Sequence, residues 1–366
     1  MAAPQRRLIT LKKTDADFQS YLMGTFSDLD VALPIKSLNL GTQNETVTFE
    51  IIPTNEVQRP NYFIYWLHLI KYKSYLYFFL PLFFVLTKNF VDDSIKAPLS
   101  LLFAVVGGLL IYAGFNIRQD VNDHVSGFDR IFPSHSAKPI HKGWISAAEA
   151  SFLSWFLVGI GIGICIPSFI FQKELIRVAL VLGIIFIAAR FAHRNSFKTK
   201  ELGEIALFLL AGPGISSAFQ VALGGGVDTE ILGFGLLWGW AVLFIVHLNN
   251  FVYLMDSEKF GLENAMIKYG FDRSKKFLIV WWLGFIFLWI LYHYFYGATY
   301  MTWFTSSLLM FWSVPTLIKF AEIQSPLGSD LFEARNKGKR NFYLMVMLFC
   351  FEQMLYVVVK NGWIGL

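Results

Sequence analysis

The stretch Leu99–Asp129 reads LSLLFAVVGGLLIYAGFNIRQDVNDHVSGFD. From Leu99 to Phe115 it holds no charged side chain, and it then turns polar at Asn116, Arg118, Asp120 and Asp123. An apolar run of that kind is long enough for a bilayer, which needs ~20 residues of helix. If the helix continues to its polar end, Asn116, Asp120 and Asp123 fall at i, i+4 and i+7, on one stripe. A membrane helix that ends in two carboxylates and an amide on one face is either a solvated end with caps and ion pairs or a site. Carboxylates near a membrane are costly, which favours the site.

The rest of the chain follows the same pattern. Of 366 residues, 55% are apolar and only 16% charged, against about 25% charged in soluble domains. Mean hydropathy is +0.51. The expectation is an all-α, polytopic membrane bundle of about nine spans: Phe63–Val85, Leu99–Asn122, Ile145–Ile166, Leu175–Ala192, Leu202–Leu223, Ile231–Met255, Phe277–Tyr296, Tyr300–Phe320 and Phe342–Val359. Residues 62–366 would form this domain, and residues 1–61 a polar extension. The extension carries a strand-like alternation at Thr46–Ile51 and a short helical pattern at Asp15–Met23. It reads as a poorly ordered or capping segment of unassigned role.

Basic residues set the orientation. They cluster after the even-numbered spans: Arg118, Arg130, Lys138 and Lys142; Arg190, Arg194, Lys198 and Lys200; Lys259, Lys268, Arg273, Lys275 and Lys276; Lys319, Arg335, Lys337, Lys339 and Arg340. The alternate loops carry few. The positive-inside rule places those basic loops, the N-terminus and the polar helix ends in the cytoplasm, and the C-terminus on the opposite side. In a bacterium the membrane would be the inner one. No secretory signal is visible. The net charge of +5 then reports lipid-facing loops; no basic-aromatic motif points to nucleic acid. Cys165 and Cys350 lie inside apolar runs, at a spacing that excludes a metal cluster and argues against a disulfide framework.

Oxygen ligands on a polar stripe suit Mg²⁺, which is commonly shared with phosphate oxygens. Basic neighbours on the same side suit a diphosphate. The sixth span closes in a similar way, with Asn249, Asn250, Tyr253, Asp256, Glu258 and Lys259. On a continuous helix Asn249, Tyr253 and Asp256 share a stripe.

These residues resemble the UbiA superfamily of intramembrane prenyltransferases. Asn116-x3-Asp120-x2-Asp123-x3-Gly127-x-Asp129 is similar to its first Asp-rich motif, and the Gly-x-Asp ending is closest to the branch that prenylates dihydroxynaphthoate for menaquinone. Lys138-Pro139 through Ser146 resembles the segment that opens the third helix, Lys200–Glu204 the start of the fifth, and Asn249-Asn250 the pair before the second Asp motif. There the chain departs from the family: Tyr253 and Ser257 stand where carboxylates are expected, Val252 replaces an arginine, and Asp256 and Glu258 flank the missing acid. Lys138 replaces an arginine, and Lys71-Tyr72-Lys73-Ser74 occupies the region of an Arg-Pro in the first helix.

The resemblance implies Mg²⁺-dependent transfer of an isoprenyl group from a prenyl diphosphate to a small, aromatic acceptor in the bilayer. It implies metal ligands among Asp120, Asp123, Asp129, Asp256 and Glu258. It implies diphosphate contacts from Asn116, Arg118, Lys138, Lys142, Lys198, Lys200, Asn249, Asn250 and Lys259. Asp120, Asp123, Lys138, Lys142 and Tyr253 would take part in catalysis, with His247 and Tyr253 on the acceptor side. Two other activities fit the same residues: cyclisation of a prenyl diphosphate without acceptor, and non-catalytic binding of lipid diphosphates or scaffolding. A transporter fits less well, because transporters bury their polar sites near the midplane.

Overall fold

Lys71 marks the first departure from the expected spans. Its φ of +57° lies in the left-handed region, which ends a helix. The polar run at Lys71–Ser74 therefore splits the first apolar stretch in two. Helix α2 (Tyr62–Leu69) starts at Asn61, whose side chain accepts from Ile64 N at 2.9 Å. Helix α3 (Leu76–Val91) follows, and the membrane-length segment begins at Tyr72 rather than Phe63.

The computed structural model describes residues 7–131, 138–170, 183–190, 202–259, 261–296 and 300–361. Among them, eight helical segments are long and apolar enough to cross a membrane. The remaining expected span, Leu175–Ala192, lies largely outside the described residues; its described part, 183–190, is helical (α7). The chain is thus a multi-pass helical membrane protein. Its other helices are α4 (Pro98–Ser126), α5 (Phe128–Ile131), α6 (Ala147–Ile170), α8 (Leu202–Leu209), α9 (Ile215–Ala222), α10 (Thr229–Val252), α11 (Leu254–Lys259), α12 (Ala265–Tyr296), α13 (Tyr300–Glu322) and α14 (Asp330–Lys360).

The N-terminal segment is folded, which sets aside the poorly ordered one of the two expected alternatives. Strands β1 (Arg7–Lys12), β2 (Asp30–Leu38) and β3 (Thr46–Pro53) form an antiparallel sheet in the order β1-β3-β2. Helix α1 (Phe18–Met23) packs on it: Phe18 and Leu22 meet Ala32, Val47, Phe49 and Ile51 in one small core. The alternation along β3 puts Val47, Phe49 and Ile51 on the buried face.

The molecule divides into two compact units. The first comprises Met1–Ser74, Val106–Cys165 and Ala189–Ser196, so it holds the sheet, α2, most of α4, α5 and most of α6. A second core in it joins Leu69, Ile117, Val121, Ile140, Ile145, Ala147 and Ala150. The second comprises Tyr75–Val105, Ile166–Ala188 and Phe197–Leu366. Aromatic rings fill its centre. Phe84 stacks on Phe234 at 4.0 Å, Phe234 on Phe349 at 5.2 Å, and Trp289 meets Phe349 edge-on at 5.9 Å. Between α8 and α9 a π-helical turn, Leu210–Gly214, accommodates Pro213. It lies so close to α10 that a Cβ on Gly235 would come within 2.5 Å of Pro213 Cα. Small residues allow this close approach of membrane helices.

Candidate functional site

Helix α4 runs unbroken to Ser126, so Asn116, Asp120 and Asp123 do lie along one stripe. Gly127 then adopts φ +86°, a left-handed cap that only glycine takes without strain. Its N–H bonds His124 O at 3.2 Å, and the chain reverses into α5. That reversal brings Asp129 back toward the carboxylates of α4. Asp120, Asp123 and Asp129 are all buried.

A second turn supplies the counter-charge. Gly143 N bonds Ile140 O at 3.0 Å and Trp144 N bonds Pro139 O at 2.9 Å. Ile140 and Ile145 are buried with Ile117 and Val121 of α4. This hydrophobic anchor fixes Lys138 over the acidic stripe. Its Nζ lies 2.9 Å from Asp120 Oδ1, 2.7 Å from Asp123 Oδ2 and 2.8 Å from Asp129 Oδ1. Three carboxylates thus share one ammonium. Burial alone would lower the Lys138 pKa, but the negative charges of Asp120, Asp123 and Asp129 outweigh it and hold the pKa above the usual lysine value.

Lys71 adds a second ammonium, 2.8 Å from Asp120 Oδ1 and 3.4 Å from Gln119 Oε1. The left-handed turn that ends α2 aims it there. This residue was not among the expected contacts; its signal in the sequence was a charged pair, Lys71 and Lys73, interrupting an apolar run. Asn116 donates to Ser74 Oγ at 3.2 Å and Ile70 O at 3.3 Å, so it ties α4 to the same turn. Arg118 points elsewhere: it donates to Ser151 Oγ and lies over the Trp155 ring, with 5.5 Å to the centroid. Lys142 is exposed and lies over the Trp144 ring at 4.9 Å. Neither is brought to the three carboxylates.

The N-terminal sheet braces this corner from within the same unit. Arg130 Nη2 lies 2.9 Å from Glu45 Oε1, and Arg130 Nη1 donates to His124 O at 3.2 Å. A ring nitrogen of His124, Nε2, lies 3.1 Å from Leu22 O of α1. Ser146 and Glu149 cap α6 reciprocally: Ser146 Oγ accepts from Glu149 N at 3.1 Å, and Glu149 Oε2 accepts from Ser146 N at 3.0 Å.

No protein-family model matches the chain, and no curated protein matches its sequence. Solved structures do match its backbone. One is a digeranylgeranylglyceryl phosphate synthase, at TM-score 0.56 and 15% identity, over 80% of this chain and 98% of that one. A second is a UbiA homologue from Archaeoglobus fulgidus bound to GPP and Mg²⁺, at TM-score 0.53 and 15% identity, over 78% of this chain and 99% of that one. A third is the apo form of a UbiA homologue from Aeropyrum pernix K1, at TM-score 0.55 and 14% identity, over 76% and 98%.

The fold is UbiA-like.

The segment from Asn249 to Gly261, which the sequence resemblance aligned with a second motif, lies in the second unit, and the helix expected to run on through Asn249, Tyr253 and Asp256 is interrupted there. Helix α10 ends at Val252, and Tyr253 leaves helical geometry at φ −102°, ψ +25°. A new helix, α11, starts at Leu254, so the helix is broken at Tyr253, between Asn249 and Asp256. Tyr253 instead faces α14: its hydroxyl accepts from Arg335 Nη1 at 2.7 Å, and the guanidinium also lies over the Phe332 ring. An arginine thus meets a phenol there. Asn249 and Asn250 are half-buried, Asp256 is half-buried, Ser257 is buried and Glu258 is exposed. His247 Nδ1 lies 3.6 Å from Glu204 Oε1, with its ring edge-on to Trp281 and Phe277. Lys198 and Lys200 lie outside the described residues, as does the side chain of Lys259.

Among the described residues, no group of three or more His, Cys, Asp or Glu side chains is arranged so that it could hold a metal ion as it stands. The three carboxylates that do converge meet around Lys138. As a donor set they fit a hard divalent cation: all oxygen, all anionic, and already holding one positive charge. Their spacing is that of an ammonium, since Mg²⁺ binds oxygen at ~2.0–2.1 Å. The same facing oxygens can serve the ammonium or the metal, but not both at once.

Proposed function

We propose that this protein is a membrane prenyltransferase that moves an isoprenyl group from a prenyl diphosphate to a small aromatic acceptor, with Mg²⁺. The observation that carries the reading is the convergence of Asp120, Asp123 and Asp129 on one cation position, flanked by Lys71, in a UbiA-like fold. The A. fulgidus homologues bound to GPP and to DMAPP with Mg²⁺ support it.

Asp120, Asp123 and Asp129 would hold the metal. Bound there, it would neutralise the diphosphate as a leaving group. Lys71 and Lys138 donate to the non-bridging phosphate oxygens as charge builds on them. The allylic C–O bond breaks, pyrophosphate leaves with the electron pair, and the carbon it leaves is attacked by the electron-rich ring of the acceptor, which then loses a proton. Asn116 acts on position rather than charge, through the Ser74 turn that carries Lys71. The Tyr253–Arg335 pair occupies the second motif in place of a carboxylate, so we assign one metal site and not two.

Purified protein with Mg²⁺ and a panel of prenyl diphosphates tests the reading. Turnover that waits for an aromatic acceptor supports it. Hydrocarbon or terpene alcohol formed without acceptor replaces transfer by cyclisation, and no pyrophosphate release under any condition removes catalysis altogether.

A further inference from the structure

We propose that Lys138 is a removable counter-cation. It keeps Asp120, Asp123 and Asp129 closed to free divalent metal, and yields them only to metal that arrives with a diphosphate, whose oxygens take over the ammonium. The proposal rests on the reading of this corner as a metal–diphosphate site and adds an order of binding to it.

Occupancy is the starting point. Lys138 Nζ sits 2.7–2.9 Å from one oxygen of each carboxylate. A divalent ion on those oxygens would take the volume of the ammonium and repel its charge at contact distance. The metal can enter only if Lys138 moves away.

The cost of moving it decides the order. The Lys138 side chain is only 14% exposed, and a buried ammonium without an acceptor is strongly disfavoured. Free metal offers it no acceptor. A diphosphate offers several anionic oxygens. Metal binding and diphosphate binding are therefore coupled through one side chain, and each must strengthen the other by the same factor. Lys71 differs on both counts: its side chain is 27% exposed and Gln119 Oε1 already stands within 3.4 Å. It can stay beside Asp120 or turn toward solvent without a diphosphate.

The backbone around Lys138 holds its place during the exchange. Pro139 fixes φ directly after it, and Ile140 is buried against α4. The exchange is a rotation of one side chain rather than a loop movement. The neighbouring acids need no rearrangement to receive the metal beyond closing in on it.

The test is metal binding, read without turnover. Full-length protein in detergent micelles is titrated with Mn²⁺, a spin-active probe for the Mg²⁺ site, alone and with inorganic pyrophosphate. Wild type should bind Mn²⁺ alone weakly, and more tightly with pyrophosphate by about tenfold or more, within the usual range of coupling between sites. Lys138→Gln should bind Mn²⁺ alone about tenfold or more tighter than wild type and lose most of the pyrophosphate effect. Lys138→Arg, which keeps the charge, should bind it alone as weakly as wild type. Tight binding of Mn²⁺ alone to wild type overturns the proposal without reference to any variant, and so does equal affinity in wild type and a folded Lys138→Gln. In both cases the metal site itself survives. Absence of bound Mn²⁺ in every arm has a different meaning: it removes the metal reading on which the proposal rests.

Discussion

The Tyr253 hydroxyl accepts a hydrogen bond from Arg335 Nη1 at 2.7 Å. Where a UbiA-like second motif is expected to present a carboxylate to a metal, this chain presents a phenol to a guanidinium on α14. Tyr253→Phe removes one charge-assisted hydrogen bond, and the melting temperature should fall by the equivalent of about 1.5–3 kcal/mol. Tyr253→Asp should create an Arg335–Asp ion pair, not a metal site. Metal analysis should find the same stoichiometry in Tyr253→Asp as in wild type; an added equivalent would contradict the single-site assignment.

Arg130 and Glu45 pair at 2.9 Å with both side chains almost fully buried. Breaking such a pair from one side leaves a buried charge uncompensated, at about 3–5 kcal/mol. Glu45→Gln should therefore release the N-terminal sheet from the Gly127 corner. Hydrogen exchange checks this: amides of Thr46–Pro53 should lose protection in the variant, while those of α10 keep theirs.

His293 Nε2 lies 3.0 Å from Glu352 Oε2, and Thr305 donates to the other oxygen of Glu352. These three buried residues join α12, α13 and α14. A double-mutant cycle of His293→Phe and Glu352→Gln should show a coupling of about 0.5–3 kcal/mol, the range for residues in direct contact. Strict additivity would mean that the pair does not hold the helices together.

Lys138 has its pKa raised above the ordinary lysine value, once its three carboxylates have outweighed burial. A raised folded-state pKa contributes stability that is complete below the unfolded value and is lost as pH rises through the folded one. With the unfolded value near ~10.4, the stability difference between wild type and Lys138→Gln should stay constant from about pH 7 to about pH 9. A difference that shrinks across that window would show that Lys138 titrates inside it.

The acidic corner was legible in the sequence because its parts obey local rules. Asn116, Asp120 and Asp123 keep helical spacing on one stripe, whereas Asp129 entered only through the resemblance, since the left-handed turn at Gly127 that returns it is a feature of the structure. Lys138 was legible through resemblance, as the residue before Pro139. Lys71 was not, because an apolar stretch that a tertiary turn divides reads as one span. The break at Tyr253 left no mark either: neither glycine nor proline precedes it, and the partner its hydroxyl meets lies on α14, far along the chain. In the sheet, β3 alternates cleanly. Strand β2 carries Pro34 and a register shift between Pro34 and Lys36 that spoils its alternation.

The most direct measurement is pyrophosphate release from an allylic diphosphate by purified wild type and Asp120→Asn, each with and without Mg²⁺. Asp120 is the carboxylate that both lysines meet, at 2.8 and 2.9 Å. Wild type should release pyrophosphate only with Mg²⁺ and an aromatic acceptor. Asp120→Asn, folded to the same helical content, should lose at least about a hundredfold of that rate, the scale seen when one element of electrostatic stabilisation is removed. Equal Mg²⁺-dependent release by both proteins would contradict the assignment of this corner as the catalytic site.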